Sequence, residues 1–175
     1  MRNILIVFKG KPAIGKTTLA VELGRILNMP VVDKDKIRSV VNFDASIDKL
    51  RDKSYEIMFL FADYMLKQNI SVICDSPLRP RKWFEYAKNV AKENNSRILV
   101  VDCKCSSIDV WKSRLEDRKK QKVGSHQISS WVDIVNGPLK ENWWETSTKN
   151  SINIDTANSL DQNVYSIISF LRRVL

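Results

Sequence analysis

Ile4-Leu5-Ile6-Val7-Phe8-Lys9-Gly10-Lys11-Pro12-Ala13-Ile14-Gly15-Lys16-Thr17 is the stretch whose reading decides the fold. Its first five residues are a continuous apolar run, as expected for a strand buried on both faces of a parallel sheet. Gly10 to Thr17 then matches G-x-x-x-x-G-K-[ST], and from Thr17 the apolar period changes to that of a helix, with Leu19, Leu23, Ile26 and Leu27 on one face. Strand, glycine-bounded loop and helix in that order form a phosphate cradle. Backbone N–H groups converge on phosphate oxygens at a helix N-terminus, and glycine is needed where a Cβ would block the approach. The expected cradle is Gly10, Lys11, Pro12, Ala13, Ile14, Gly15, Lys16, Thr17 and Thr18. Lys16 is expected to reach the β- and γ-phosphates of ATP, and the Thr17 hydroxyl to ligate Mg²⁺. Ala13 and Ile14 stand where such loops usually carry Gly and Ser or Thr, which predicts either a stiffer loop or a nucleotide held less tightly.

Working outward, strands alternate with helices. Pro30 to Asp33 reads as a second strand, and Ile47, Leu50, Ile57, Phe61 and Met65 as the core stripe of a helix or helix pair over Ala45 to Gln68. Ile70 to Asp75 reads as a third strand. Arg81 to Asn94 reads as a helix burying Trp83, Ala87 and Val90, and Ile98 to Asp102 as a fourth strand. Ile108, Trp111 and Leu115 open a basic helix, and Ile128, Trp131, Val132 and Val135 another that Gly137-Pro138 closes. Ser151 to Asp155 is the fifth strand. Ser159 with Gln162 is a capping-box signature for a last helix whose apolar face is Leu160, Val164, Ile167, Ile168 and Leu171. This alternation predicts an α/β fold with a parallel sheet covered on both sides. With 175 residues and neither linker nor repeat, one domain over residues 1–175 is expected.

Composition narrows the function classes. Hydrophobic residues at 43% and charged residues at 28% fit a globular chain, and no apolar run is long enough to span a membrane. The three cysteines are an odd number and no secretory leader is read, so a reducing, cytoplasmic setting is expected. Lys and Arg number 29 against 20 Asp and Glu, a net +9 that favours an anionic ligand. The excess is partly local, with six basic residues against Glu116 and Asp117 between Lys112 and Lys122, which suits one anion site better than a long nucleic-acid track. Cys103 and Cys105 lack a second Cys or His pair, so a zinc site is not expected. His126 is the only histidine and is not expected to be catalytic, and Trp143 and Trp144 are read as helix-packing residues or part of a partner surface.

The third and fourth predicted strands end in Asp75 and Asp102, either of which could stand beside Thr17 at the metal; Asp75 is favoured. After the second strand comes Asp33-Lys34-Asp35-Lys36-Ile37-Arg38, at the sheet edge where an open α/β sheet binds its ligands. Asp33 or Asp35 is also a natural helix cap. The order G-x-P-x-x-G-K-T, strand, D-x-x-R, strand ending in Asp resembles the P-loop kinases grouped with polynucleotide kinase, chloramphenicol phosphotransferase and zeta toxin. The resemblance runs from Gly10 to Ile154-Asp155-Thr156. It implies a three-layer P-loop NTPase fold, a five-stranded parallel sheet of order 2-3-1-4-5, and a helical lid over residues 112 to about 130. It also implies that Asp35 takes the proton of an attacking hydroxyl, that Arg38 grips the acceptor, and that Arg114 and Arg118, an R-x-x-x-R pair, close over ATP. Arg79 and Arg81, in the loop after Asp75, could hold an anionic acceptor. The expected activity is transfer of the γ-phosphoryl group of ATP to a hydroxyl of a small molecule, nucleoside or nucleotide. A polynucleotide 5′-hydroxyl kinase and a nucleotide-binding regulatory module without phosphotransfer are the alternatives. The acceptor and the oligomeric state are not legible.

Overall fold

Every residue of the first strand, β1 (Ile4–Lys9), is buried, because the strand runs through the middle of a parallel sheet with a helical layer on each face. Its side chains alternate accordingly. Leu5 and Val7 enter one core cluster, and Ile4, Ile6 and Phe8 enter the other. The computed structural model describes residues 3–41, 47–120, 131–135, 143–146 and 149–174. The chain continues through α1 (Lys16–Leu27), β2 (Val31–Asp33), α2 (Lys34–Val40), α3 (Ile47–Lys67), β3 (Val72–Asp75) and α4 (Arg81–Glu93). It ends with β4 (Arg97–Lys104), α5 (Ile108–Lys120), α6 (Trp131–Val135), β5 (Ser151–Asp155) and α7 (Leu160–Val174). The sheet order is β2-β3-β1-β4-β5 and every pairing is parallel, the predicted P-loop kinase arrangement. Helices α3 and α4 cover one face, and α1 and α7 the other. Among the described residues no helix is long and apolar enough to cross a membrane.

Register at the carboxyl edge decides which charged groups meet. Asp33 lies opposite Asp75, and Lys9 opposite Asp102. The capping box at Ser159 forms as read: Gln162 N donates to Ser159 Oγ and Ser159 N to Gln162 Oε1, each at 3.3 Å.

The predicted core stripes need correction at several positions. On α3 the buried face is Tyr55, Met58, Phe59, Ala62 and Leu66, whereas Phe61 is exposed and Met65, Ile57 and Leu50 are only partly buried. Leu60, Phe61 and Tyr64 are all exposed, so this helix is apolar around most of its girth and periodicity allows two registers. The ring of Trp83 selects between them, stacking on Tyr55 with centroids 4.8 Å apart. Ile26 and Ile108 are exposed, and in α6 it is Ile134, not Val132 or Val135, that is buried. Trp131 packs edge-on against Trp111 at 5.2 Å. Ala45, Ile128 and Gly137-Pro138 lie outside the described residues.

Lys9 and Asp102 make a buried ion pair at the sheet edge, Nζ to Oδ2 at 2.7 Å, both side chains nearly inaccessible. Thr146 Oγ1 donates to the same oxygen at 2.9 Å, and Lys9 Nζ stands 4.9 Å from the ring centre of Trp144. Trp144 stacks on Phe84 and donates Nε1–H to the Leu78 carbonyl, so it is a packing residue as expected. Removing one partner of such a pair strands a charge in low dielectric, at a cost of about 3–5 kcal/mol. Lys9→Ala should therefore lower the urea-unfolding free energy by about that amount. Lys9→Met combined with Asp102→Leu should recover most of it, and equal losses in the two proteins would disprove the burial cost.

Candidate functional site

The loop between β1 and α1 begins where β1 comes hard against β4. Gly10 has φ +143°, and a Cβ there would stand 2.5 Å from the Cys103 carbonyl, so this corner admits only glycine. Gly10 N donates to Pro77 O at 3.2 Å, joining the loop to the segment after β3. The loop carbonyls are then taken up in turn. Trp111 Nε1–H donates to Pro12 O at 2.9 Å, Arg114 Nη1 to Ile14 O at 3.0 Å, and Lys16 Nζ to Lys11 O at 2.7 Å. In a trans peptide the C=O and the following N–H point opposite ways. Drawing the Pro12 and Ile14 carbonyls toward α5 therefore turns Ala13 N–H and Gly15 N–H the other way, and both residues line the cleft. Ala13 adopts φ +58°, a conformation unfavourable for a residue with a Cβ, while Ile14 is buried among Phe8 and Leu19. Gly15, at φ +103°, precedes α1, whose first turn carries no acid, so the helix N-terminus is open to an anion.

The cleft in front of the loop has a volume of about 630 Å³. Lys16, Thr17, Thr18, Asp33, Asp35 and Asp75 line it, with Arg114 and Arg118 from α5 and Thr156, Asn158 and Asn163 from the far edge. Burial pushes the Lys16 ammonium down in pKa, against Asp75 and Asp35, which push it back up. Burial also pushes the Asp75 carboxyl up; Lys16 and the Thr17 hydroxyl oppose this, and Asp33 and Asp35 add to it. Asp75 Oδ1 is buried without a hydrogen-bond partner. An orphaned carboxylate oxygen next to a threonine hydroxyl fits a hard divalent cation such as Mg²⁺, bound directly or through its water. Asp102, the alternative acid, is instead committed to Lys9 and Thr146.

Opposite the loop, Asp33 is used as the α2 cap: its Oδ1 accepts from Asp35 N at 2.8 Å and Lys36 N at 3.3 Å. That leaves Asp35 to face the cleft. Burial pushes the Asp35 carboxyl up, but Lys34, by charge and by a 2.6 Å hydrogen bond, outweighs it with help from Lys16 and Arg118, so the group lies below the usual aspartate range. Arg38 is buried with its Nε unpartnered and does not border the cleft. Nor do Arg79 and Arg81: Arg79 is half-buried, and Arg81 is exposed on α4, 3.7 Å from Glu85.

The two arginines of α5 have different surroundings. Arg118 borders the cleft, and its charge is felt at both Lys16 and Asp35. Arg114 is bonded into the protein: besides Ile14 O, it donates to Thr156 Oγ1 at 3.2 Å and Thr156 O at 2.8 Å. It thus joins α5, the loop and the turn after β5. The rest of the lid expectation, residues 121–130 with His126, lies outside the described residues. Trp143 is half-buried. Sequence reasoning missed Thr156, Asn158 and Asn163 as cleft residues and Lys34 as the partner of Asp35. The polar Asp155-Thr156-Ala157-Asn158 turn after a strand was the available signal for Thr156 and Asn158; Asn163 lies on α7.

The profile of the AAA domain family matches residues 5–137, more than half of the chain. No curated protein sequence matches. Among solved structures, a Chloroflexus aurantiacus protein assigned to the kinases superposes with TM-score 0.81 at 21% identity, over 100% of both chains. The Mycobacterium tuberculosis APS kinase, solved with AMPPNP and APS, gives TM-score 0.72 at 16% identity over 98% of each chain. Chaetomium thermophilum Kti12, solved with ADP-AlF3, gives 0.68 at 17% identity, over 94% of this chain and 97% of that one. At such identities the likeness is one of fold, and the fold is that of nucleotide-binding P-loop proteins that include kinases. With the glycine-bounded loop at the end of β1, the 2-3-1-4-5 sheet and the matched profile together, this chain belongs to the AAA domain family, within the P-loop NTPase superfamily.

Proposed function

We propose that the protein is an ATP- and Mg²⁺-dependent kinase that transfers the γ-phosphoryl group to a hydroxyl of a small molecule, nucleoside or nucleotide. The observation that carries this reading is the placement of Asp35. Its carboxylate stands across the cleft from the phosphate loop, within electrostatic reach of Lys16. A switch or motor needs no second carboxylate there; a phosphotransferase uses one to orient the acceptor hydroxyl. The resemblance of Asp35-x-x-Arg38 to the acceptor motif of polynucleotide kinase, chloramphenicol phosphotransferase and zeta toxin supports the same assignment.

In this mechanism Ala13 N–H, Gly15 N–H and Lys16 hold the β- and γ-phosphates. Thr17 and Asp75 would hold Mg²⁺, which would supply positive charge to the phosphate oxygens. The acceptor oxygen forms a bond to the γ-phosphorus as the bond to the β,γ-bridging oxygen breaks, ADP leaves, and the hydroxyl proton passes to Asp35. A carboxylate below the usual range is a weak base, which suits a loose transition state that needs orientation more than deprotonation. Arg118 supplies positive charge to the transferring oxygens. Arg38, Arg79 and Arg81 would meet an anionic part of the acceptor only after α2 or the loop after β3 rearranges, since none of them borders the cleft.

The deciding experiment follows ³²P from γ-labelled ATP into a panel of nucleosides, metabolites, antibiotics and 5′-hydroxyl oligonucleotides. Label in an oligonucleotide alone would select the polynucleotide alternative, and label in water alone the regulatory one. Lys16→Ala should abolish transfer to every acceptor; normal turnover by that variant would remove the phosphate-site assignment. With the labelled acceptor in hand, Asp35→Asn should retain ATP affinity and lower kcat about 10²- to 10⁴-fold. The arginines should separate. Arg118→Ala should lower kcat with an unchanged melting temperature, whereas Arg114→Ala, which loses three hydrogen bonds, should lower the melting temperature and weaken ATP binding in calorimetry.

A further inference from the structure

Lys34 is among the most deeply buried large side chains of the protein, at 1% exposure, although it is the first residue of an edge helix. Lysine is almost never buried this far without a partner, because removing an ammonium from water is costly. Its surroundings meet that cost on two sides. Nζ stands 5.4 Å from the centre of the Tyr55 ring on α3, which is itself stacked on Trp83, and donates to Asp35 Oδ1 at 2.6 Å. Adjacent residues of a helix do not share a face, so helical periodicity does not bring Lys34 to Asp35. The lysine is pinned from behind by the α3 and α4 aromatics, and the aspartate leans back to it from the cleft.

We propose that Lys34 is a positioning residue: its buried ammonium occupies Oδ1 of Asp35 and holds the carboxylate so that Oδ2 meets the acceptor hydroxyl. This rests on the assignment of Asp35 above and adds to it the group through which Asp35 is aimed. Asp35 keeps 39% of its side chain accessible while Lys34 keeps 1%, so the pair has a fixed end and a presented end. A flexible carboxylate at that exposure samples several rotamers, and each one that turns away from the acceptor is unproductive. A buried cation bonded to one oxygen removes most of them before the acceptor arrives. It also keeps the carboxylate ionised in a site where other carboxylates crowd it.

The groups facing Asp35 are known from each element around it. Lys34 and the Asp33 cap come from its own segment, Lys16 from α1, Arg118 from α5, Asp75 from β3 and the Tyr55 hydroxyl from α3. Lys16 and Arg118 act in the same direction as Lys34, so the three cations have to be separated by substitution. A structural ion pair, which merely allows Lys34 to be buried, is the competing account.

The test begins with the wild-type protein and needs no acceptor. A side-chain ¹³C NMR titration, with the Asp35 signal assigned by its loss in Asp35→Asn, should place that carboxyl below the ordinary aspartate value of about 3.9. Titration at or above it overturns the proposal, whether or not any variant folds. In Lys34→Met, of similar length and without charge, the Asp35 titration should rise by about one pH unit or more. Hydrolysis of Mg·ATP, with water as acceptor, is the kinetic probe. There Lys34→Met should lower kcat about tenfold or more and leave the KM for ATP within about twofold. Adding Lys34→Met to Asp35→Asn should change kcat by no more than about twofold, because the lysine acts only through the carboxylate. Additive losses in the double variant, or a loss of ATP affinity equal to the loss of kcat, would identify a structural pair and sink the proposal. If Asp35→Asn alone leaves hydrolysis and acceptor transfer intact, the functional assignment of Asp35 fails instead, while the titration still reports whether Lys34 holds the carboxylate.

Discussion

The close approach of Gly10 to the Cys103 carbonyl is the constraint on which the site depends. β1 runs beside β4 to its last residue, Lys9, while β4 continues to Lys104, and the chain must leave β1 through a gap that a single Cβ would close. Glycine at that corner sets where the loop starts. From there the loop turns back over the sheet edge, Ile14 drops into the core between Phe8 and Leu19, and α1 begins at Lys16 with its N-terminus toward the cleft. The site is thus an extension of the sheet edge, with Asp33 and Asp75 delivered by the ends of β2 and β3 and Thr156 by the turn after β5.

Register also sorts the acids. The strand ends offer Asp33, Asp75 and Asp102, chemically identical and adjacent in the sheet order except for β1 between the last two. Their fates differ because their neighbours differ. Asp102 faces Lys9 and is neutralised, Asp33 meets the free N–H groups of a helix start, and Asp75 keeps an oxygen without a partner. A carboxylate already bonded by a lysine or by helix N–H groups has little left to offer a ligand, and of these three acids Asp75 is the one with a buried oxygen that lacks a hydrogen-bond partner. Asp35 lies two residues beyond the strand, where α2 presents it to the cleft.

The arginines show the same division. A pair four residues apart on a helix shares a face, and both Arg114 and Arg118 do lie toward the loop. One turn of helix nevertheless separates a guanidinium bonded to three backbone and side-chain oxygens from one that borders open space. The first sets loop geometry; the second is available to a ligand.

What the sequence alone determined was whatever is encoded locally or by period. The glycine-bounded loop, the five strands in chain order and the Ser159 capping box were legible because a glycine spacing, an apolar run or a cap residue acts within a few positions of itself; the spatial order 2-3-1-4-5 came from the family resemblance. Tertiary structure decided everything that required choosing among equals. The face of α3 that is buried could not be read, since that helix is apolar nearly all round and only the Trp83 ring selects Tyr55 and Phe59. The roles of Asp75 and Asp102 depended on which strand neighbours which. Lys34 was invisible as well, because its meeting with Asp35 follows from aromatic packing across three helices, and a lysine beside an aspartate at a helix start carries the same letters whether it is solvated or buried.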